Sequence, residues 1–220
     1  MFIQNASHEL LTPLSIIRQK AEKILVNSEK IDQEIASSAS DIQQTAVRLS
    51  RLSNALLLIS RIENKQFPLT DRIDVPELVK EVLAELDDFI RLKNISVNKN
   101  FETNEIITGN RELLHSTIFN VVQNAVKFSP ESTEVLISFN KGKGEQLKLS
   151  VQDHGTGIPD ELISSVFDRF KKGKRKENRD IIENGNGLGL SIVKSICDLH
   201  DFKCSASNSE DSGAIITIYF

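Results

Sequence analysis

The residues best suited to chemistry lie near the start of the chain, in the octet Ser7–Leu14. His8 and Thr12 are four residues apart, so on a helix they share one face. A neutral imidazole is a competent nucleophile at pH 7, and Glu9 could hold its other ring N–H. Pro13 cannot donate a helical hydrogen bond to the carbonyl of Glu9, so we expect a bend beside the histidine. Alone, an exposed His–Glu pair is more often ordinary helix surface.

A second polar group is predicted on one helix, where Asn120, Asn124 and Lys127 follow each other at spacings of four and three. The apolar face lies about 100° around the same helix. It consists of Leu114, Ile118, Val121 and Ala125. Amide oxygens are hard ligands that suit Mg²⁺, and a lysine beside them suits a phosphate. The alternative is an ordinary solvated helix face.

Two glycine-rich segments follow, Asp153–Ile158 after a predicted strand and Gly185–Leu190 at the start of a predicted helix. A carboxylate at a strand end can accept from the exocyclic amine of adenine, and glycines let backbone approach a ligand closely. Free N–H groups at a helix start favour phosphate. The second segment lacks the GxGxxG spacing of a dinucleotide fold and the GK[ST] of a P-loop, so both of those sites are excluded.

Composition limits the class of protein. The 220 residues are 39% hydrophobic and 26% charged, which suits a globular protein with a real core. The net charge is −4, so nucleic acid is not expected as a partner. No apolar run reaches the roughly 18 residues of a membrane span, and no leader is expected for this segment. Cys197 and Cys204 form no CxxC pair, so we expect buried free thiols in a reducing compartment.

The first candidate site requires a helical support. Residues 1–66 contain no glycine and one proline, and two heptad seams flank a turn at Asn27–Asp32. The seams are Leu10, Leu14, Ile17, Ala21 and Ile24, and then Ile31, Ile35, Ile42, Leu49, Leu52, Leu56 and Ile59. One hairpin cannot bury both, so we expect two copies to form a four-helix bundle. Residues 1–66 are therefore predicted to be a dimerisation domain.

Residues 67–220 alternate between strand and helix patterns. The predicted strands are Arg72–Val75, Ile95–Phe101, Glu105–Thr108, Glu134–Phe139, Gln146–Gln152, Phe202–Ser207 and Ala214–Phe220. The predicted helices are Pro76–Ile90, Asn110–Phe128 and Leu188–Leu199. This order predicts an α/β sandwich, with helices on one face of a mixed, mostly antiparallel sheet.

Taken in order, the motifs resemble the cytoplasmic catalytic core of two-component sensor histidine kinases. Ser7–Leu14 is similar to the H box, Asn120–Phe128 to the N box, Val166–Phe170 to the F box, and the two glycine-rich segments to the glycine boxes. The resemblance covers nearly the whole chain. It implies a histidine phosphoacceptor hairpin over 1–66 and a Bergerat-type ATP-binding domain over 67–220. His154, Asn184 and Asn186 depart from the commoner residues of the boxes but remove no catalytic group.

The same resemblance implies the chemistry. ATP would phosphorylate His8 with the help of Glu9, and the phosphoryl group would pass to an aspartate of a response regulator. Thr12 would position water for regulator dephosphorylation, and Lys171–Asn184 would be a lid over ATP. Asn120 would ligate Mg²⁺, whereas Asn124 and Lys127 would meet phosphates and Asp153 would meet adenine. The remaining pocket residues would be Gly155, Gly157, Ile158, Phe170, Gly185, Gly187, Leu188 and Gly189.

Partners and location follow from the resemblance as further expectations. They are a homodimer, a receiver domain, no nucleic acid and no direct membrane contact by this segment. Because the chain begins only seven residues before His8, we expect a cytoplasmic segment of an inner-membrane sensor protein. The alternatives are an ATP-driven conformational machine like the heat-shock chaperones or mismatch-repair ATPases, and a catalytically inactive dimeric scaffold. His115 and His200 match no motif and are expected to be structural or surface residues.

Overall fold

The chain divides into two compact units, Met1–Asn64 and Lys65–Phe220. The computed structural model describes residues 14–24, 33–142, 144–169 and 187–220. Within these ranges the first unit has two helices, α1 (residues 14–24) and α2 (Gln33–Glu63).

Each helix of the first unit buries a narrow stripe of residues seven positions apart, which is two helical turns. In α2 the stripe consists of Ala39, Ala46 and Ser53, all below 8% exposed. In α1 it consists of Leu14 and Ala21. These inward-facing side chains are mostly small. Those of α1 belong to the predicted first seam, whereas those of α2 belong to neither predicted seam.

Most of the larger apolar residues of the predicted seams point outward. In α2, Ile35, Ile42, Leu49 and Leu56 are again seven apart and are 53%, 49%, 46% and 38% exposed. Ile17 and Ile24 of α1 are similarly exposed, at 45% and 40%. Of the predicted second seam, Ile59 is buried. The single chain leaves a continuous row of Ile and Leu side chains uncovered, as expected for a hairpin that cannot bury both seams alone.

The described residues of the second unit form the strands β1 (Asp71–Asp74), β2 (Ser96–Phe101), β3 (Ile106–Gly109), β4 (Glu134–Lys141), β5 (Leu147–Gln152), β6 (Lys203–Asn208) and β7 (Ala214–Tyr219). Five of them form one sheet with the order β2-β4-β5-β7-β6. β2 and β4 are parallel, and the other neighbours in this sheet are antiparallel. The predicted class, a helical segment followed by an α/β unit with a mixed, mostly antiparallel sheet, is confirmed.

One detail of the predicted sheet is wrong. β1 and β3 do not join the large sheet but pair with each other, antiparallel, with Asp71 opposite Gly109 and Asp74 opposite Ile106. Each strand has only four residues, and both lead directly into a helix. Because the two strands are antiparallel, the helix that follows β1 and the helix that follows β3 start at opposite ends of this small ribbon.

The described residues of the second unit form the helices α3 (Val75–Glu85), α4 (Asp87–Leu92), α5 (Arg111–Phe128), α6 (Asp160–Ile163) and α7 (Gly189–Leu199). Asp74 caps α3 by accepting from the N–H of Glu77 at 3.0 Å, and Pro76 lies in its first turn. The predicted helix Pro76–Ile90 is broken at Leu86, because α4 begins anew with two aspartates that favour a helix N-terminus. The four-residue α6 was not predicted.

The core lies between the helices and one face of the large sheet. In β4, Val135, Ile137 and Phe139 are fully buried and alternate with partly exposed residues. Opposite them, α5 buries an apolar face that includes Leu114, Ile118 and Val121, and it packs against α3, α7 and β5. Burial of each such side chain contributes about 1.5–3 kcal/mol. This packing fixes the position of α5 among the neighbouring helices and the sheet.

Candidate functional site

Asp153 is the first residue after β5 and is 7% exposed. Its Oδ1 accepts from the backbone N–H of Gly155 at 2.8 Å and from that of Ala214 at 3.1 Å. Burial raises the pKa of the Asp153 carboxyl, and the two backbone donors of Ala214 and Gly155 oppose that rise. No donor among the described residues reaches Oδ2, so this oxygen can accept from a bound amine.

The glycine-rich segment that begins at Asp153 lies against the end of α5. A side chain at Gly155 would place its Cβ 2.7 Å from the carbonyl oxygen of Phe128. His154, the atypical residue of the segment, is anchored by its ring, with Nδ1 2.7 Å from the Glu134 carbonyl oxygen at the start of β4. The carbonyl end of α5 and the start of this segment are therefore in direct contact.

The predicted polar face of α5 begins with a well-defined helix start. Asn110 caps α5 by accepting from the N–H of Leu113 at 3.1 Å. Ten residues later, Asn120 donates through Nδ2 to the Ser116 carbonyl at 2.7 Å. This bond turns the amide so that Oδ1 is the free atom to meet a ligand, and an oxygen is the atom that a hard cation prefers.

The second glycine-rich segment meets the Asn120 oxygen. A Cβ at Gly189 would lie 2.8 Å from Asn120 Oδ1, so only a glycine allows this approach without a shift. Gly189 is the first residue of α7, whose first-turn N–H groups favour an anion. Before it, Leu188 is 3% exposed and Gly187 is half-buried with a φ of +66°.

The remaining predicted residues of α5 continue the same face. Asn124 and Lys127 are half-buried, one and two turns after Asn120. Lys127 Nζ lies 5.4 Å from the centre of the Phe128 ring, within cation–π range. α5 thus touches both glycine-rich segments, one through the Phe128 carbonyl and the other through Asn120. The structure thus brings the polar face of α5 together with both glycine-rich segments, and we call these three parts the wall of the candidate site.

Several predicted residues lie outside the described part of the chain. They are His8, Glu9, Thr12, Phe170 and Gly185, together with the predicted lid Lys171–Asn184.

Sequence reasoning missed the residues that support the site from a distance. Lys93 is 8% exposed, and its Nζ donates to the carbonyls of Val126 at 2.8 Å, Lys127 at 3.0 Å, and Ser129. A buried ammonium thus satisfies the carbonyls at the C-terminal end of α5, where the helix dipole favours a cation. No sequence signal distinguishes it, because lysines are mostly exposed.

Gly213 and Ala214 were missed as well. Besides the N–H of Ala214 on Asp153 Oδ1, the N–H of Asp153 donates to the Ala214 carbonyl at 2.9 Å. A Cβ at Gly213 would fall 1.9 Å from the Asp153 carbonyl oxygen, and its φ is +86°. The available signal was a glycine in the turn that precedes the last strand.

The two histidines outside the motifs have structural surroundings. His200 is 8% exposed, and His115 Nε2 lies 2.9 Å from Glu85 Oε1 on the α3–α5 surface. Cys197 and Cys204 are free, as expected, but only Cys197 is fully buried.

The described residues contain no cluster of three or more His, Cys, Asp or Glu side chains that could hold a metal. A cation at Asn120 would therefore need most of its ligands from a bound molecule and water, which is the usual arrangement for Mg²⁺. None of the described helices has the length and apolarity to cross a membrane.

Two family models match the chain. One, described as Histidine kinase-, DNA gyrase B-, and HSP90-like ATPase, matches residues 109–220. The other, described as His Kinase A (phospho-acceptor) domain, matches residues 1–65. The first match includes both glycine-rich segments and α5, and the second includes the octet around His8.

Curated relatives match over the full chain. The heme sensor protein HssS of Staphylococcus saprophyticus is 30% identical over 220 residues, covering 100% of this chain and 46% of that protein. The sensor-like histidine kinase SenX3 of Mycolicibacterium smegmatis is 29% identical over 218 residues, covering 99% of this chain and 56% of that protein. The chain therefore spans about half the length of these relatives.

A solved structure shows the same fold. Full-length ShkA in complex with AMPPNP aligns with a TM-score of 0.74 at 22% identity, covering 99% of this chain and 44% of that chain. The family models, the relatives and the fold all lead to the same assignment. The chain belongs to the histidine kinases, with a phospho-acceptor segment of the His Kinase A type ahead of an ATPase domain of the histidine kinase-, DNA gyrase B- and HSP90-like family.

Proposed function

We propose that this chain uses ATP to phosphorylate its own His8 and then passes the phosphoryl group to an aspartate of a response-regulator receiver domain. The observation that carries the proposal is the position of α5. Its C-terminal residue Phe128 contacts the segment Asp153–Ile158, and Asn120, eight residues earlier, contacts Gly189. The wall then offers a carboxylate that can accept from adenine, two side-chain amides, a lysine and the N-terminus of a helix. Family membership and the names of the sensor kinase relatives support the same reaction.

ATP would lie along this wall with its adenine at Asp153. The free Oδ2 accepts from the exocyclic amine, while Oδ1 stays bonded to the protein backbone. Asn124 and Lys127 bind phosphate oxygens, and the first turn of α7 offers its N–H groups to the same anion. Asn120 Oδ1 would hold Mg²⁺, which would neutralise charge on the phosphates. The glycine-rich segments, with Ile158, Phe170, Gly185, Gly187 and Leu188, enclose the nucleotide.

The two transfer steps require no reactant other than ATP and the response regulator. A lone pair of the neutral His8 imidazole attacks the γ-phosphorus, and the bond from that phosphorus to the bridging oxygen of ADP breaks. Glu9 accepts a hydrogen bond from the N–H of the other ring nitrogen and stabilises the positive charge that develops on the imidazole. The phosphoryl group then moves from nitrogen to a carboxylate oxygen of the regulator, which restores neutral His8.

We assign residues 1–66 as the dimerisation and phosphoacceptor domain and residues 67–220 as the ATP-binding catalytic domain. The exposed row Ile35, Ile42, Leu49 and Leu56 supports dimerisation, because a second copy would cover it. We place the chain in the cytoplasmic part of a membrane-anchored sensor, where ATP is available. The relatives named as sensors are about twice as long as this chain.

The test is incubation of the chain with γ-labelled ATP and Mg²⁺, followed by acid and alkali treatment. We expect label that is acid-labile and alkali-stable, as phosphohistidine is, and its loss in His8→Ala. The matched control is His115→Gln, which changes a histidine on the catalytic domain and should retain the label. ATP affinity should be unchanged in His8→Ala.

The possible outcomes separate the alternatives. ATP hydrolysis without any labelled protein would instead indicate a conformational ATPase, and absence of ATP binding would indicate an inactive scaffold. Label on His8→Ala at a rate near that of the unchanged chain would contradict His8 as the acceptor.

A further inference from the structure

Asn208 is the last residue of β6, the edge strand of the large sheet, and its side chain reaches the first glycine-rich segment. Oδ1 accepts from the N–H of Ile158 at 2.7 Å, and Nδ2 donates to the carbonyl of Ile158 at 2.7 Å. One amide group therefore satisfies both backbone polar groups of one residue, as a neighbouring strand would. The two residues are 50 positions apart in the chain.

The contact continues to the residue before Ile158. Gly157 has a φ of +73°, and a Cβ at this position would lie 2.7 Å from Asn208 Oδ1. A larger residue is disfavoured there both by the backbone conformation and by the asparagine. Asn208 thus lies directly against the backbone of the segment.

The turn that follows Asn208 holds the other end of the same segment. Ser209 donates its N–H to the Gly213 carbonyl at 3.0 Å, which closes the connection between β6 and β7. The next residue, Ala214, exchanges hydrogen bonds with Asp153 through both its N–H and its carbonyl. Asp153 and Ile158, the two ends of the glycine-rich segment, are therefore both tied to the β6–β7 connection.

We propose that Asn208 is a positioning residue for nucleotide binding, because it holds Asp153–Ile158 in the conformation that receives the adenine end of ATP. This inference rests on the proposed function. A segment with two glycines has many accessible conformations when free, and ordering it on binding would weaken affinity. Two hydrogen bonds from an already ordered strand remove most of that penalty before the nucleotide arrives.

A purely structural role predicts a different result. Asn208 and its two hydrogen bonds are exposed to solvent and lie outside the core. Loss of these two hydrogen bonds removes no core side chain, so the chain should stay folded under the conditions of the binding experiment. The loss should instead appear in nucleotide affinity, because the unbound segment would occupy the competent conformation less often.

The experiment measures binding of ATP and of ADP to the 220-residue chain by calorimetry, well below the unfolding midpoint. Asn208→Ala should weaken both nucleotides by about five- to thirtyfold, the range for losing two modest hydrogen bonds. Asn208→Leu keeps the approximate size of the side chain without its hydrogen bonds and should weaken binding to a similar degree. The loss should be equal for ATP and ADP, because the segment holds the adenine end.

The matched control is Asn100→Ala. Asn100 is an exposed asparagine on β2, the opposite edge strand, and donates to Glu102 Oε1 at 2.9 Å. This variant should bind both nucleotides as the unchanged chain does. Unaltered affinity in Asn208→Ala, or an equal loss in Asn100→Ala, would overturn the positioning role. Failure of the unchanged chain to bind ATP would instead contradict the proposed function.

Discussion

The imidazole of His200 accepts a hydrogen bond from the backbone N–H of Asn110, with 2.9 Å between Nε2 and the amide nitrogen. Its other nitrogen, Nδ1, lies 2.8 Å from the carbonyl oxygen of Ile196 in α7. Nε2 must therefore be unprotonated and Nδ1 must carry the hydrogen. Since Asn110 caps α5, one neutral histidine joins the end of α7 to the start of the helix that lines the site.

This geometry predicts a pH dependence of stability. Burial lowers the pKa of His200 below its usual value near 6.5, although the bond to the Ile196 carbonyl opposes the shift. Protonation then favours the unfolded chain, so the His200 contribution is complete above about pH 6.5 and is lost as the pH falls below it. Urea unfolding of the unchanged chain should show a free energy that declines between pH 7 and 5.

The matched variant for that measurement is His200→Gln. Its amide can accept from Asn110 and donate to Ile196 but does not titrate in this range. We expect a shallower decline of the unfolding free energy than in the unchanged chain. Equal slopes for the two proteins would show that His200 does not titrate on unfolding.

Asp153→Asn should weaken ATP binding by about ten- to a hundredfold, the range for a hydrogen bond to a charged group. The asparagine oxygen can still accept from Gly155 and Ala214, so the fold should persist. The amide NH₂ would then face the adenine amine as a second donor. Calorimetry and circular dichroism measure the two effects, with Asp88→Asn on α4 as the control. Full ATP affinity in Asp153→Asn would place the adenine elsewhere.

Gly189→Ala should destabilise the chain by about 1–3 kcal/mol, because its Cβ would lie 2.8 Å from Asn120 Oδ1. Adding Asn120→Ala removes the clashing oxygen, so the double variant should recover part of that loss. A double-mutant cycle of unfolding free energies isolates this coupling. Gly142→Ala is the control, since its Cβ would meet the nearest atom at 3.5 Å. Strictly additive effects would contradict the contact.

The exposed row on α2 predicts that Ile42→Glu with Leu49→Glu converts a dimer into a monomer. Both side chains are about half exposed in the single chain, so the charges need not disturb its own packing. A second copy would have to bury them unpaired. Sedimentation equilibrium measures the change, with Leu92→Glu, at an exposed leucine of α4, as the control. A pair of charges that leaves the dimer intact would exclude this row from the interface.

Thr12→Ala should retain autophosphorylation and phosphotransfer while regulator dephosphorylation slows by up to roughly 10²-fold. Thr12 follows His8 by four residues, so on a helix its hydroxyl could hold a water aimed at the aspartyl phosphate. Transfer from ATP to His8 needs no such water. Rates of both reactions with the same regulator provide the measurement. A parallel loss of both activities would assign Thr12 to support of the helix instead.

Local patterns predicted most elements of the second unit. α5 was predicted at Asn110–Phe128 and observed at Arg111–Phe128, because its apolar spacing and its asparagine cap lie close together in the chain. The same reasoning failed at Leu86, where a helix restarts inside an unbroken apolar pattern. Helix and strand periodicity cannot report such a break, because the apolar face continues on both sides of it.

The candidate site divides in the same way. Residue type and spacing predicted Asp153, Asn120 and the glycine-rich segments as candidate ligand-binding residues, since a carboxylate, an amide and a glycine each have chemistry that is independent of their neighbours. The resemblance of the ordered motifs to histidine kinases then favoured ATP as the ligand. Only the tertiary structure decided which groups hold them. Asp153 is bound by Ala214 at a separation of 61 residues, Ile158 by Asn208 at 50, and the end of α5 by Lys93 at 33 to 36. Such pairs form because packing of the whole unit brings distant backbone together, and no local sequence pattern encodes that distance.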